Sequence, residues 1–503
     1  MTRVKAMARL FISAAHKSSG KTTVSLGLCA ALRARGLEVQ PFKKGPDYID
    51  PLWLTAAAGR ACRNLDRHTM SEPEILSLYG EHARSADICI IEGNKGLYDG
   101  VSTDGHDSGA ALARLLSAPV VLVVDSQGMT RGIAPLLIGY RTFDPSIAIA
   151  GVILNKVSGA RHEGKLRSAI EAYTDVPVLG AIHRSPEIEV TERHLGLIPV
   201  NETPEARAKI AAIAAGIASQ VDLDRLLAVA CQAPRVRFLH CLAPLRLSGP
   251  RRRVGVARDA AFAFYYPDDL EGLSACGFDV VPFDTLNDRR LPPKLDGLFI
   301  GGGFPETHME RLQANYQLRS EIRAAVDAGL PVYAECGGMM YLSRSISWRG
   351  RRCAMVGAIE ADAVMQSRPQ GKGYVLLRET EHAPWPSMIG RGGHIAAHEF
   401  HYAALENLGP NIRFAYRVLR GQGIAHGHDG IVTANTLASF SHQRGVGADP
   451  WPARFAAFVR RCAESGAATP ISSMTIRGDD SDSNKAVAAH RALSSQQAAG
   501  GLC

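Results

Sequence analysis

No run of apolar residues in this chain is long enough to span a bilayer, which excludes a membrane protein built on helical spans. Ten cysteines are present, yet no two are spaced Cys-x-x-Cys. A cysteine zinc site and a disulfide framework are therefore not expected, and the scatter suits a reducing cytosol. The net charge of +8 is nowhere concentrated enough to mark a nucleic-acid module; only Arg251, Arg252 and Arg253 stand together, and such a run reads as a solvated face. The apolar stretch ending at Ser13 belongs to a domain, so no signal peptide is expected and the location is read as cytoplasmic. What is present is 503 residues, 46% hydrophobic and 21% charged, the composition of a globular chain able to bury large cores. At this length about two to four domains are expected.

One cysteine dominates the second half. Residues 331–342 read Pro-Val-Tyr-Ala-Glu-Cys-Gly-Gly-Met-Met-Tyr-Leu, an apolar run that stops at Glu335-Cys336, then two glycines and a segment able to start a helix. An isolated cysteine is usually a small buried side chain. Strand, sharp turn and helix, however, is the arrangement that lifts a nucleophile to the top of an α/β sheet. Gly337 leaves room for substrate and for backbone donors to an oxyanion. The glycine-rich loop 301–303 after the strand at 295–300 supplies the other half of such a site, at Gly303. The candidate bases for Cys336 are His394, His398, His401 and His442. Phe262, Phe264, Tyr265 and Tyr266 read as core rather than as a stacking platform.

The first half carries a different chemistry. A buried strand at 8–13 leads into Ala14-Ala-His-Lys-Ser-Ser-Gly-Lys-Thr-Thr23 and then a helical pattern. That is a phosphate-binding loop, although alanine stands where an early glycine is usual. Gly20, Lys21, Thr22 and Thr23 would hold ATP, with Lys21 on the β/γ-phosphates and Thr22 on magnesium. A strand at 38–42 ends in Lys43-Lys44-Gly-Pro-Asp47-Tyr48-Ile49-Asp50, where open α/β sheets bind ligands. A strand at 87–91 ends in Glu92, placed to be a direct or indirect magnesium ligand. Further strands are expected at 119–125 and 149–154, the latter followed by Asn155, which either reads a base edge or caps a turn. Strands alternating with helices predict a doubly wound, mostly parallel sheet.

Together these motifs carry a resemblance. Phe42 to Pro51, Asn64-Leu65-Asp66, Glu92-Gly93 and Gly96-Leu-Tyr-Asp-Gly100 closely resemble the cobyrinic acid a,c-diamide synthases, which belong to the dethiobiotin-synthetase-like ATP-dependent amidoligases. Gly301 to Glu306, Tyr333 to Gly338, His398 to Tyr402 and Ser439 to His442 resemble the class I glutamine amidotransferase domain of the same enzymes, a flavodoxin-like α/β fold. The resemblance implies Cys336 as nucleophile and His442 as its base. Ordinary class I enzymes have a glutamate two residues after the histidine; Arg444 stands there, so the resemblance implies a Cys-His dyad. It also implies that Asp47, Asp50, Glu92 and Asp99 place metal, intermediate and ammonia, and the macrocycle contact is assigned to Tyr48 and Ile49.

The expected organisation is an ATP-binding amidoligase domain at 1–235, a linker at 236–250, an amidotransferase domain at 251–465 and a disordered tail at 466–503. The expected reaction is ATP- and glutamine-dependent amidation of the a and c acetates of cobyrinic acid or a close corrinoid through an acyl phosphate, with Mg2+ as cofactor. The chain lacks the histidine the family commonly carries soon after Asp50-Pro51, which keeps a second tetrapyrrole such as sirohaem open as acceptor. A switch or partitioning ATPase with a degenerate amidotransferase domain is the alternative of another class. The expected partners are small molecules, with neither nucleic acid nor membrane, and a homodimer is the assembly allowed for.

Overall fold

The computed structural model describes residues 7–188, 192–193, 196–203, 205–236, 249–385, 393–447 and 450–465. Most of the expected linker and all of the expected tail lie outside these residues. Seven strands form the first sheet: β1 (Ala8–Ala14), β2 (Val39–Lys44), β3 (Arg63–Leu65), β4 (Ile88–Glu92), β5 (Val120–Asp125), β6 (Ile149–Val157) and β7 (Val178–His183). They run in the order β3-β2-β4-β1-β5-β6-β7, and every pairing is parallel.

A parallel sheet is covered on both faces, so its strands read as unbroken apolar runs. In β1, Leu10 and Ile12 pack with α1 (Lys21–Ala34), α2 (Ile49–Ala58) and the helix Ala206–Gln220. Phe11 points the other way, into a second core with Ile75, Leu112 and Leu137. The chain leaves β1 first toward β2 and later returns to add β5 on its opposite side. The carboxyl end of β1 is therefore the switch point at which such sheets bind ligands.

The second sheet has nine strands. Phe278–Phe283, Arg252–Ala257, Gly297–Ile300, Val332–Glu335 and Thr436–Ser439 lie side by side in parallel. His428–Thr433, Arg413–Arg420, Gly371–Glu379 and His394–His401 continue it antiparallel. Val332–Glu335 and Thr436–Ser439 are neighbours, with Glu335 opposite Ser439. That register brings residues just past 335 and just past 439 together, although about a hundred positions separate them in sequence.

The two sheets meet through polar residues at the carboxyl end of the first. Arg63 on β3 pairs with Asp268 at 2.7 Å and Glu271 at 2.6 Å, both on the helix Pro267–Ala275. Tyr374 donates to Asp66 at 2.8 Å. Phe262 and Tyr266 are buried as expected for core residues, but Phe264 and Tyr266 also stack on the first half through Tyr48.

Candidate active site

The phosphate loop follows β1, and Gly20 closes it with φ +87°, a conformation that side chains rarely adopt. A Cβ there would stand 2.1 Å from Asn155 Nδ2, and that amide donates to Ser19 O at 2.8 Å. Asn155 thus braces the loop. Lys21 begins α1 and is buried; burial pulls its ammonium down, and the charge of Glu92 pulls it back up. Thr22 Oγ1 donates to Glu92 Oε1 at 2.9 Å and to Asp50 Oδ2 at 3.2 Å, and Thr23 follows half-buried on the same turn.

Lys43 was not among the expected site residues, and it stands at the centre of the cluster. Its ammonium lies 2.5 Å from Asp50 Oδ2, 2.6 Å from Glu92 Oε1 and 3.6 Å from Asp47 Oδ2. The neighbouring β2 and β4, paired Lys43 to Glu92, force this meeting. Burial would lower Lys43, but Asp50 and Glu92 raise it well above the ordinary lysine value. Burial and then the nearby Asp50 push Asp47 up to about 7. Asp47 Oδ1 accepts from the amides of Ile49 and Asp50, which opens α2 at the edge of the cluster. Asp99 lies apart on an exposed turn, accepting from Gly96 N at 3.0 Å, and its charge acts on Lys21.

The donor set suits magnesium. Thr22, Asp50 and Glu92 offer hard oxygens, and Glu92 Oε2 is buried without a hydrogen-bond partner. Asp50, not Asp47, bonds Thr22 directly, so its oxygen stands beside those of Thr22 and Glu92, two of the three expected metal ligands, Asp47 being the third.

In the second half Cys336 follows its strand with φ +48° and ψ −101°, and its amide donates to Ser439 O at 2.7 Å. The loop at 302–303 is pressed against it. A Cβ on Gly337 would stand 3.0 Å from Gly303 N, and one on Gly302 would stand 2.8 Å from His442 Cε1. Of the four candidate bases, His442 hydrogen-bonds Cys336. His394 is exposed on its strand, while His401 stacks on Phe440 with ring centres 3.7 Å apart. His398 stacks on His442 at 4.9 Å; burial, then the charge of His442, lowers it well below the usual histidine range.

Glu335 Oε2 lies 3.1 Å from His442 Nδ1, a carboxylate contact that counting forward from the histidine could not find. Burial would lower His442, but its hydrogen bonds with Cys336 and Glu335 raise it to about 10. Arg444, at the position where a glutamate was looked for, turns to the first half: it pairs with Asp268 at 2.9 Å, donates to Asn64 O at 3.3 Å and lies 4.2 Å over the Tyr266 ring.

The two centres adjoin. Tyr48, one residue past Asp47, stacks on Phe264 at 5.4 Å and approaches the rings of Tyr266 at 4.5 Å and His442 at 5.2 Å. Ile49 turns back onto the core around α1.

A phosphate-loop domain joined to a cysteine–histidine amidotransferase domain defines a glutamine-dependent amide ligase, and comparison with known proteins agrees. Residues 11–198 match the CobQ/CobB/MinD/ParA nucleotide binding domain, and residues 253–445 the CobB/CobQ-like glutamine amidotransferase domain. A cobyrinate a,c-diamide synthase of Magnetococcus marinus is 48% identical over 90% of this chain and 97% of its own. Those of Methanosarcina acetivorans (40%, over 88% and 94%) and Listeria monocytogenes (39%, over 87% and 96%) align over similar spans. The chain belongs to the cobyrinate a,c-diamide synthase family.

Proposed function

We infer that the chain makes two amides on cobyrinate, at its a and c acetate groups, with ATP and glutamine as co-substrates. The observation that carries this is the adjacency of two centres: Cys336 with His442, and the loop 15–22 with Lys43, Asp50 and Glu92. In the first, the Cys336 sulfur bonds the glutamine carboxamide carbon as its C–N bond breaks, and His442 gives its proton to the departing ammonia. Water then adds to the thioester. One proton passes to His442 and the other to solvent as glutamate leaves and the thiolate is restored. The amides of Gly303 and Gly337 receive the oxyanion.

In the second centre a carboxylate is inert to ammonia because oxide is a poor leaving group. Transfer of the γ-phosphoryl group of ATP makes an acyl phosphate, which ammonia opens with loss of phosphate. Lys21 neutralises charge on the transferring group. Gly20, Thr23 and Asn155 shape the loop that holds the phosphates. Magnesium, held by Thr22, Glu92 and the Asp47–Asp50 pair, would offset phosphate charge. Asp99 acts on Lys21 through its charge, and Tyr48 gives the acceptor an uncharged wall, with Ile49 anchored behind it on the core. We place the enzyme in the cytoplasm, with the domains divided near residue 235 and near residue 251, and a homodimer as the assembly to be tested by sedimentation.

The test is Cys336→Ala, with diamide measured by mass against two nitrogen donors. Glutamine-dependent synthesis should vanish while ammonia-dependent synthesis stays within about threefold of wild type, since free ammonia bypasses the first centre. Equal loss with both donors would sink the two-centre reading.

A further inference from the structure

A histidine that serves a cysteine must present one ring nitrogen to the sulfur and have the other nitrogen committed, or the imidazole is free to turn and to take the wrong tautomer. The position two residues past His442 holds a cation directed at Asp268 and Asn64, so it cannot do this. Glu335 can. Its carboxylate is 1% exposed, and its oxygens are all engaged: Oε2 with His442 Nδ1 at 3.1 Å, Oε1 with the Tyr333 hydroxyl at 2.5 Å and with Gln443 N at 3.1 Å. A buried carboxylate without such partners would be strongly disfavoured, so a group held this firmly is a built feature of the site.

The backbone explains how neighbouring residues can serve one ring. Successive side chains of a strand point to opposite faces. Cys336 leaves the strand with φ +48°, which breaks the alternation and lets Glu335 and Cys336 both reach the imidazole of His442. The pairing of Glu335 opposite Ser439 sets the height at which His442 arrives.

We propose that Glu335 is the positioning residue of the glutaminase centre, fixing His442 through Nδ1 and stabilising its imidazolium while the other ring nitrogen faces Cys336. This rests on the assignment of Cys336 and His442 as the glutaminase pair. The groups facing His442 are Glu335 and Cys336 at the strand end, His398 on its own strand, and Tyr48 from the first domain; Arg444 is two residues on. Of these, Glu335 and Cys336 hold its proton, and His398 is kept neutral.

The experiment compares wild type, Glu335→Gln, Glu335→Asp and Cys336→Ala in the full-length enzyme, with glutamine and with ammonia, from pH 6 to 10.5. Glu335→Gln should lower glutamine-dependent kcat by about 10²- to 10⁴-fold, the range seen when the carboxylate of a hydrolytic triad is neutralised. Its alkaline limb should fall by about one pH unit or more, since the imidazolium has lost its anion. Ammonia-dependent synthesis should stay near wild type, which a folding defect would not allow. Glutamine-dependent activity within about threefold of wild type, with an unmoved alkaline limb, overturns the proposal. If Glu335→Gln loses both activities, Glu335→Asp decides: one methylene shorter, it keeps the charge but withdraws it from Nδ1, and a kcat equal to wild type overturns the proposal. Cys336→Ala separates the two readings, because survival of glutamine-dependent synthesis in that variant refutes the glutaminase pair itself.

Discussion

Lys43→Met should destabilise the free enzyme more than most single substitutions, because it leaves three acids without the cation that separates them. The ammonium is 3% exposed and lies within 4 Å of Asp47, Asp50 and Glu92. Removing one partner of a buried pair costs about 3–5 kcal/mol. Asp47, already raised to about 7 by burial and by Asp50, can take up a proton and soften the loss, so the lower end, about 3 kcal/mol, is expected. For a domain of this size that corresponds to a fall in melting temperature of about 6–12 °C. Calorimetry with and without magnesium is the assay. A divalent cation can occupy the charge that the ammonium leaves, so magnesium should stabilise the variant more than the wild type, by about 2.7 kcal/mol at a hundredfold excess over Kd. A fall of less than about 3 °C, or an equal gain from magnesium in both proteins, would refute the view of Lys43 as the counter-ion of an acidic magnesium site.

Two further outcomes test the remaining contacts. Lys21→Ala should lower synthesis by about 10³-fold with either nitrogen donor while Cys336 still reacts with iodoacetamide; undiminished ADP release would show that the loop at 15–22 is not the ATP site. Arg444→Leu should lower stability by about 3 kcal/mol and raise the glutamine consumed per amide formed, because it cuts the link from the His442 segment to Asn64 and Asp268; an unchanged ratio and melting curve would count against it.

The parts legible in the sequence were those whose signal is local. Five strands of the first sheet were readable as apolar runs, and Gly20-Lys21-Thr22 and Glu335-Cys336-Gly337 as turns of specific chemistry. Of the other two, β3 was hidden because its three residues include Arg63, buried for its ion pair with Asp268 across the domain boundary, and Asn64, buried by its hydrogen bonds to Gly45 O and Asp47 O. The antiparallel half of the second sheet was missed for a related reason: strands such as Gly371–Glu379 have a short apolar run, Val375-Leu376-Leu377, flanked by glycine, lysine, arginine and glutamate. Lys43 was visible as a residue but not as a centre, since only the β2–β4 register brings it to Glu92. Glu335 was overlooked because alternation along a strand argues against two neighbours sharing one partner, and the positive φ that lifts this restriction leaves no mark in the sequence.

The stacking of Tyr48 on Phe264, with Tyr266 and His442 beside it, bears on how acceptor preference could be re-engineered. The segment that offers itself for exchange, residues 45–53, has Asp47 and Asp50 in the Lys43–Glu92 cluster on one side and Tyr48 fitted against Phe264, Tyr266 and His442 on the other. A transplanted segment would bring the donor enzyme's shape at both surfaces. Retargeting therefore calls for exchange of a composite unit, residues 45–53 together with Phe264, Tyr266 and His398. Two reactions joined in this way are inherited as one, and selection on the acceptor is also selection on how glutamine is spent.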